Sequence, residues 1–579
     1  MGESRNFILF AVLSLGILIG YQSLYLGPKE AERQKYEQQQ REALGESIQT
    51  PSVSDASPAA TVTQDPVAAA PVLEDAGRVE INTPELTGSI SLRGARLDDL
   101  LLNNHRVSLE ENSGNVRLLR PLNEANSYSV RFGWVAAGQT ASFVPDQNTV
   151  WTASSGELTP SSPVTLSWTN DQAVTFEIAL TIDEQFMFGI EQSVRNESGE
   201  PIQLAPYGLI NREGKPETDG LLILHEGPLG VFNGELQEKS YDDLTEDGTF
   251  ETSTQGGWMG ITDKFWMTVL IPDQQLSIPT VRMFQFNSGQ GVNFQVDYQE
   301  SLKTVAAGAT TTSKSNLYAG AKIVGAIDDY AERYQIQLFD RAIDWGWLWF
   351  LTQPIFKVIH YLFELTGNFG VAILLMTVIL KIGLFWFANK SYISMAHMRR
   401  AQPKIKALQE RYGDDRAKMQ QEMMELYKKE KINPMAGCLP LIPQMFIFFA
   451  LYKVLYVTIE MRHQPFFGWI KDLSVADPLT PVNLFGLLPF TPPGFIAIGI
   501  LPIMMGVSMW AMQKMNPQQA GMDPTQQKIM NMLPIIFTFV MAQFSAGLVL
   551  YWTWNNILSI GQQWVIMRRE DARMDQAKA

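Results

Sequence analysis

At 579 residues the chain is too long for one ordinary domain, and its single cysteine, Cys438, excludes an intrachain disulfide. A formal charge of -15 excludes a general nucleic-acid-binding surface, which needs cations, so no specific nucleic acid is expected as a partner. The mean hydropathy of -0.05 averages two unlike parts: residues from about 80 to 330 alternate polar and apolar, and the chain beyond holds long apolar runs.

Residues 7–26 are mostly apolar and, at ~1.5 Å rise per residue, match a ~30 Å hydrocarbon core. Gly27-Pro28-Lys29 offers no small-x-small cleavage site, which favours a retained anchor over a cleaved signal. Residues 28–78 are rich in Gln, Glu, Ala, Pro, Ser and Thr and bury too little to offset ordering entropy, so a flexible linker is expected. From 79 to 326, runs such as "VTLSWTN" and "AVTFEIALTI" alternate between turns such as "NESGEP" and "NREGKPETDG". They predict an exported antiparallel β-sandwich domain of about fifteen or more strands. Over 327–348, Ile327, Tyr330, Tyr334, Leu338 and Ile343 recur at helical spacing, and Trp345, Trp347 and Trp349 follow. Tryptophan favours the headgroup layer, so an interfacial amphipathic helix is expected, with a helix capping the domain as the alternative.

Five further spans are predicted, at 349–388, 436–460, 494–513, 528–544 and 546–567. The last two come from one run, Ile529 to Ile566, whose ~57 Å length as a single helix is nearly twice the bilayer core. It must therefore turn, and Phe544-Ser545-Ala546-Gly547 is the place. Lys390, Arg399, Arg400, Lys404, Lys406, Arg411 and further cations crowd the 389–435 loop, whereas the 461–493 loop has Arg462 and Lys471. This bias puts the 389–435 loop, both termini and the 568–579 tail in the cytoplasm. The fold class is thus a multi-domain membrane protein. Its α-helical six-span membrane region (a five-span core plus the N-terminal anchor) carries an exported antiparallel β-sandwich domain and a cytoplasmic helical hairpin.

Within these spans Lys381 stands out, because a charge there costs at least ~2.5–3.5 kcal/mol unless water or a partner compensates. Thr377 lies one turn deeper on the same face, and Gln444, Asn555 and Asn556 have comparable depth from the same surface. Together they suggest a hydrated hollow in the cytoplasmic leaflet, suited to receiving something from the cytoplasm and releasing it sideways into lipid. In the loop, "SMAHMRRAQPKIKALQERY" and "AKMQQEMMELYKKEK" flank Gly413-Asp414-Asp415. Met398, Ile405, Leu408 and Tyr412 can pack there on Met419, Met423 and Leu426. The histidines His105, His225, His360, His397 and His463 are scattered, with no nucleotide loop or metal spacing, so neither an enzyme nor a cofactor or metal is expected. A secondary transporter would carry paired broken helices or inverted repeats, which are not seen. A non-catalytic assembly or tethering factor is the remaining rival.

The strings "AQPKIKALQERYGDD", "MMELYKKEKINPMAGCLPLIPQM", "DPTQQKIM" and "SAGLVLYW" resemble hallmark stretches of the YidC family of membrane protein insertases. The order of elements resembles its Gram-negative form, with a large periplasmic domain. The resemblance implies a bacterial inner-membrane insertase and chaperone that inserts and folds nascent membrane proteins, alone or with the Sec translocon, without nucleotide hydrolysis. It implies a hydrophilic, cytoplasm-open groove with a cation at Lys381, where many members carry arginine; lysine keeps the charge but lacks the bidentate fork. It further implies a substrate slide including Met445, Phe446, Phe544 and Trp552, with Ser545 where related turns have proline. The cytoplasmic hairpin, with Arg399, Arg400, Lys404, Lys406 and Arg411, and the tail would then dock the ribosome or signal-recognition machinery. The lipid bilayer is the remaining partner.

Overall fold

The computed structural model describes residues 76–137, 143–216, 224–288, 291–412, 415–430, 441–485, 487–488, 497–515 and 524–576. The expected anchor at 7–26 and nearly all of the expected linker at 28–78 lie outside them. From Arg78 to Ala321 the described residues form twenty strands in an eleven-stranded and a nine-stranded sheet. Alternating side chains send one face of each strand inward: Ile90, Leu97, Val130 and Phe132 of one sheet meet Ile178, Leu180, Phe188 and Leu317 of the other. Each fully buried aliphatic or aromatic group contributes roughly 1.5–3 kcal/mol, so this interface holds the domain without disulfides. One pairing departs from the antiparallel expectation: Arg78–Asn82 runs parallel to Glu157–Leu158. A short helix, α1 (Tyr241–Glu246), starts on a capping box in which Ser240 and Asp243 satisfy each other's backbone N–H.

The helix predicted within 327–348 is shorter and starts earlier, as α2 (Val324–Arg333). Gln335 and Leu338 take left-handed backbone conformations, and a 3-10 turn, Phe339–Ala342, follows. The physical reason is that the sheets bury its aromatic face. Tyr330 donates its hydroxyl to Asp183 at 2.5 Å and packs edge-on to Tyr318, while Phe339 packs edge-on to Trp258. Through Tyr330 and Phe339 this segment packs on the β domain, while Leu338 and Trp347 stay exposed.

The predicted 349–388 span is two helices, α3 (Trp349–Thr366) and α4 (Phe369–Gly383). Gly367, with φ of 65°, ends the first in the left-handed region that glycine tolerates, and the Asn368 side chain accepts the Val371 N–H to start the second. Next come α5 (Phe385–Tyr412), α6 (Arg416–Lys429) and α7 (Leu441–Val457). The last three are α8 (Ile500–Met515), α9 (Pro524–Met541) and α10 (Ala546–Gln576). The predicted turn between the last two spans is present as Ala542–Ser545.

Two helix starts show how the connecting loop organises this region. Ala546 and Gly547 donate their orphan N–H groups to Val475 and Leu473 carbonyls, and the Asp477 carboxylate accepts from Leu501 N at α8 and from the Trp469 indole. Among the described residues no single helix is long and apolar enough to cross a membrane. The pair α4 and α5, bent by 68°, meets that condition together.

Candidate functional site

Helix α10 carries a ladder of polar side chains that faces its neighbours. Near its start Tyr551 accepts a 2.9 Å hydrogen bond from Gln444 Nε2 of α7. Further along, Asn556 donates to Ser508 Oγ of α8 at 3.1 Å, and Ser559 accepts from Lys381 Nζ of α4 at 2.7 Å. At the far end Gln563 donates to the Met515 carbonyl at 3.3 Å. From Tyr551 to Gln563 is about 18 Å at 1.5 Å per residue. Asn556, Ser559 and Gln563 are all buried, so each rung removes donors and acceptors from solvent and needs the partner it has.

The sequence-selected residues fall differently within this ladder. Lys381 is half-buried with one hydroxyl partner, and among the described residues no carboxylate pairs with it. Gln444 does not share its level: the two side chains meet α10 at Tyr551 and Ser559, about 12 Å apart. Thr377 is buried and turns its hydroxyl back onto the Ile373 carbonyl at 2.7 Å, which satisfies it within its own helix. Asn555 is buried, and its carbonyl accepts the Ser559 hydroxyl. The sequence reading missed Tyr551, Ser559, Gln563 and Ser508. For Ser559 and Gln563 the signal was present, since they continue 555 and 556 as a helical polar stripe through an apolar run; Tyr551 and Ser508 lie outside that stripe.

The four expected slide residues divide into two pairs. Met445 and Phe446 are exposed on α7, next to exposed Phe449. Phe544 and Trp552 instead join an aromatic cluster. Trp552 lies 4.5 Å from Phe448 and 5.7 Å from Phe537, and Phe544 lies 5.6 Å from Tyr452. Exposed apolar surface on α9 comes from Met532, Ile535, Ile536 and Phe539.

Helices α5 and α6 pack through Met398, Ala401 and Ile405 against Met423, Leu426 and Tyr427. The cations differ in their freedom. Arg399 pairs with Asp571 at 2.5 Å, Arg400 with Asp571 and with Asp575 at 2.6 Å, and Lys404 with Glu430 at 2.5 Å. Lys406 and Arg411 are exposed, and among the described residues no carboxylate pairs with them.

The family profile described as YidC periplasmic domain matches residues 78–358, and the one described as 60Kd inner membrane protein matches residues 361–573. The first covers the sheet domain and the start of α3, the second the helices from within α3 onward, and they define the class: an inner-membrane protein with a β-rich periplasmic domain. The chain is 44% identical to the membrane protein insertase YidC of Methylorubrum extorquens, over 99% of this chain and 97% of that protein. It is 45% identical to the protein of the same name from Granulibacter bethesdensis, over 98% of each. A crystal structure of an active YidC insertase, with its first transmembrane domain resolved, is 18% identical, covers 84% of this chain and 91% of that one, and superposes with a TM-score of 0.36. The chain belongs to the YidC family of membrane protein insertases, which are not enzymes.

Proposed function

We propose that this insertase works through the face where α4, α7, α8 and α10 enclose the polar ladder, with Lys381 as the cation that meets acidic segments of a substrate's exported end. The single observation that carries this is a half-buried lysine, the one charged residue of α4, whose one partner among the described residues is a neutral hydroxyl. Water reaching the half-buried Lys381 at the edge of the ladder would shorten the hydrocarbon distance a polar segment must cross. The exposed apolar surface of α7 and α9 then gives the substrate helix a path to lipid, with burial at ~25 cal/mol per Å² driving partition.

In this reading the chain crosses the inner membrane six times with both termini in the cytoplasm, and the groove opens toward the cytoplasm and the lipid. The α5–α6 hairpin faces the cytoplasm. Lys404, Lys406 and Arg411 provide its docking cations toward the ribosome or signal-recognition machinery, while Arg399 and Arg400 hold it to α10. Nascent membrane proteins are the substrates, taken alone or from the Sec translocon. Purified protein in liposomes, given a small single-span substrate and no nucleotide, is expected to insert it well above protein-free liposomes. Insertion at the protein-free rate would favour a tethering factor.

A further inference from the structure

Lys453 is the one charged residue in α7, and it is nearly buried. Its ammonium lies 2.6 Å from Asp344 Oδ2, and its stem runs 3.4 Å from where a Cβ on Gly346 would sit. The same Oδ2 accepts the His225 N–H at 3.0 Å, and Oδ1 accepts the Gly346 N–H at 3.0 Å. One carboxylate thus joins three separate segments: a loop of the β domain, the turn that leads into α3, and helix α7. A second contact fixes the same end, where Glu460, three residues past α7, accepts the Val324 N–H at the start of α2. Neither contact belongs to the polar ladder, and a buried pair of this kind gives little net stability compared with apolar packing. Such a pair does define geometry, because its charge and directed hydrogen bonds tolerate few alternative placements.

We propose that Asp344 is a positioning residue for insertion: by holding Lys453 it sets α7 against the β domain and the start of α3. Eight residues, about 12 Å along the helix, separate Lys453 from Met445, so the knot fixes one end of the helix whose other half presents Gln444, Met445 and Phe446. The inference rests on the reading of Met445 as part of the substrate path.

The test uses the full chain in liposomes, with a photoreactive residue at Met445 of α7 or at Ile535 of α9, and a single-span substrate. Asp344→Asn combined with Lys453→Met removes the knot without stranding a buried charge. The crosslink at 445 is expected to fall at least threefold relative to that at 535, while Lys453→Arg in the native background keeps the ratio within twofold. An unchanged ratio in the double variant overturns the proposal, whether both yields hold or both fall together, since a loss of folding lowers the two alike. Failure of the substrate-path reading is distinct: neither probe would then capture substrate in the otherwise native protein.

Discussion

Removing the Tyr551 hydroxyl strips Gln444 of its partner without changing the packing shape. Tyr551→Phe should lower stability by about 1 kcal/mol, read as a reduced unfolding midpoint in detergent. A second test concerns acid. Burial first, and then the positive charge of Arg462 and the neighbouring His463, hold the His105 imidazole at about 4, below its ordinary 6.5. The unfolded chain therefore takes up this proton first, and stability falls as pH drops from 6.5 toward 4. A His105→Gln variant should lose less stability over that window than the native protein; parallel curves would contradict the assignment. At this scale Lys381 was legible because a charge in an apolar run is conspicuous whatever surrounds it. Lys453 stands in a similar run and is as conspicuous, but its partner is not legible, because Asp344 is 109 residues away and outside the helices. Lys381 and Gln444 contact α10 about 12 Å apart, at Ser559 and Tyr551, a separation that sequence does not carry, since it counts position along each helix but not the offset between helices.

Among the elements, α8 and α9 pack at Gly506, where an added Cβ would lie 2.0 Å from Thr538 Oγ1. Gly506→Val should cost about 1–3 kcal/mol through overpacking, measured as the same midpoint shift. The contact between α5 and α10 adds more exposed ion pairs to a buried Gln563–Met395 contact: Asp571 and Asp575 hold Arg399 and Arg400, and Glu570 lies 3.4 Å from His397. Asp571→Lys should speed hydrogen exchange in the 396–405 segment of α5 several-fold while leaving the β strands unchanged; unchanged exchange in α5 would mean the ion pairs do not hold it. The strands and the α5–α6 pair were legible from period and turn residues. The division of 349–388 was also written in the sequence, as Gly367 followed by Asn368, a helix stop beside a helix start. Apolar length concealed it. Whether 327–348 lies on a membrane or on a sheet depends on what covers Tyr330 and Phe339, which no pattern within the segment reveals.

For the whole molecule, a sheet domain held by its own interior is tied to the helices through Asp344 and Glu460, and the helices are tied to one another through the side chains of α10. That arrangement leaves Lys381 as a cation with a neutral partner beside apolar surface, and the proposed mechanism turns on that charge. The most direct measurement compares insertion into liposomes of two single-span substrates that differ only in whether the exported tail is acidic or neutral, by the native protein and by Lys381→Met. The account predicts that the substitution slows the acidic-tailed substrate about tenfold, roughly 1.4 kcal/mol, and leaves the neutral one within twofold. Equal rates for the acidic-tailed substrate in the two proteins, or an equal loss for both substrates, would contradict it.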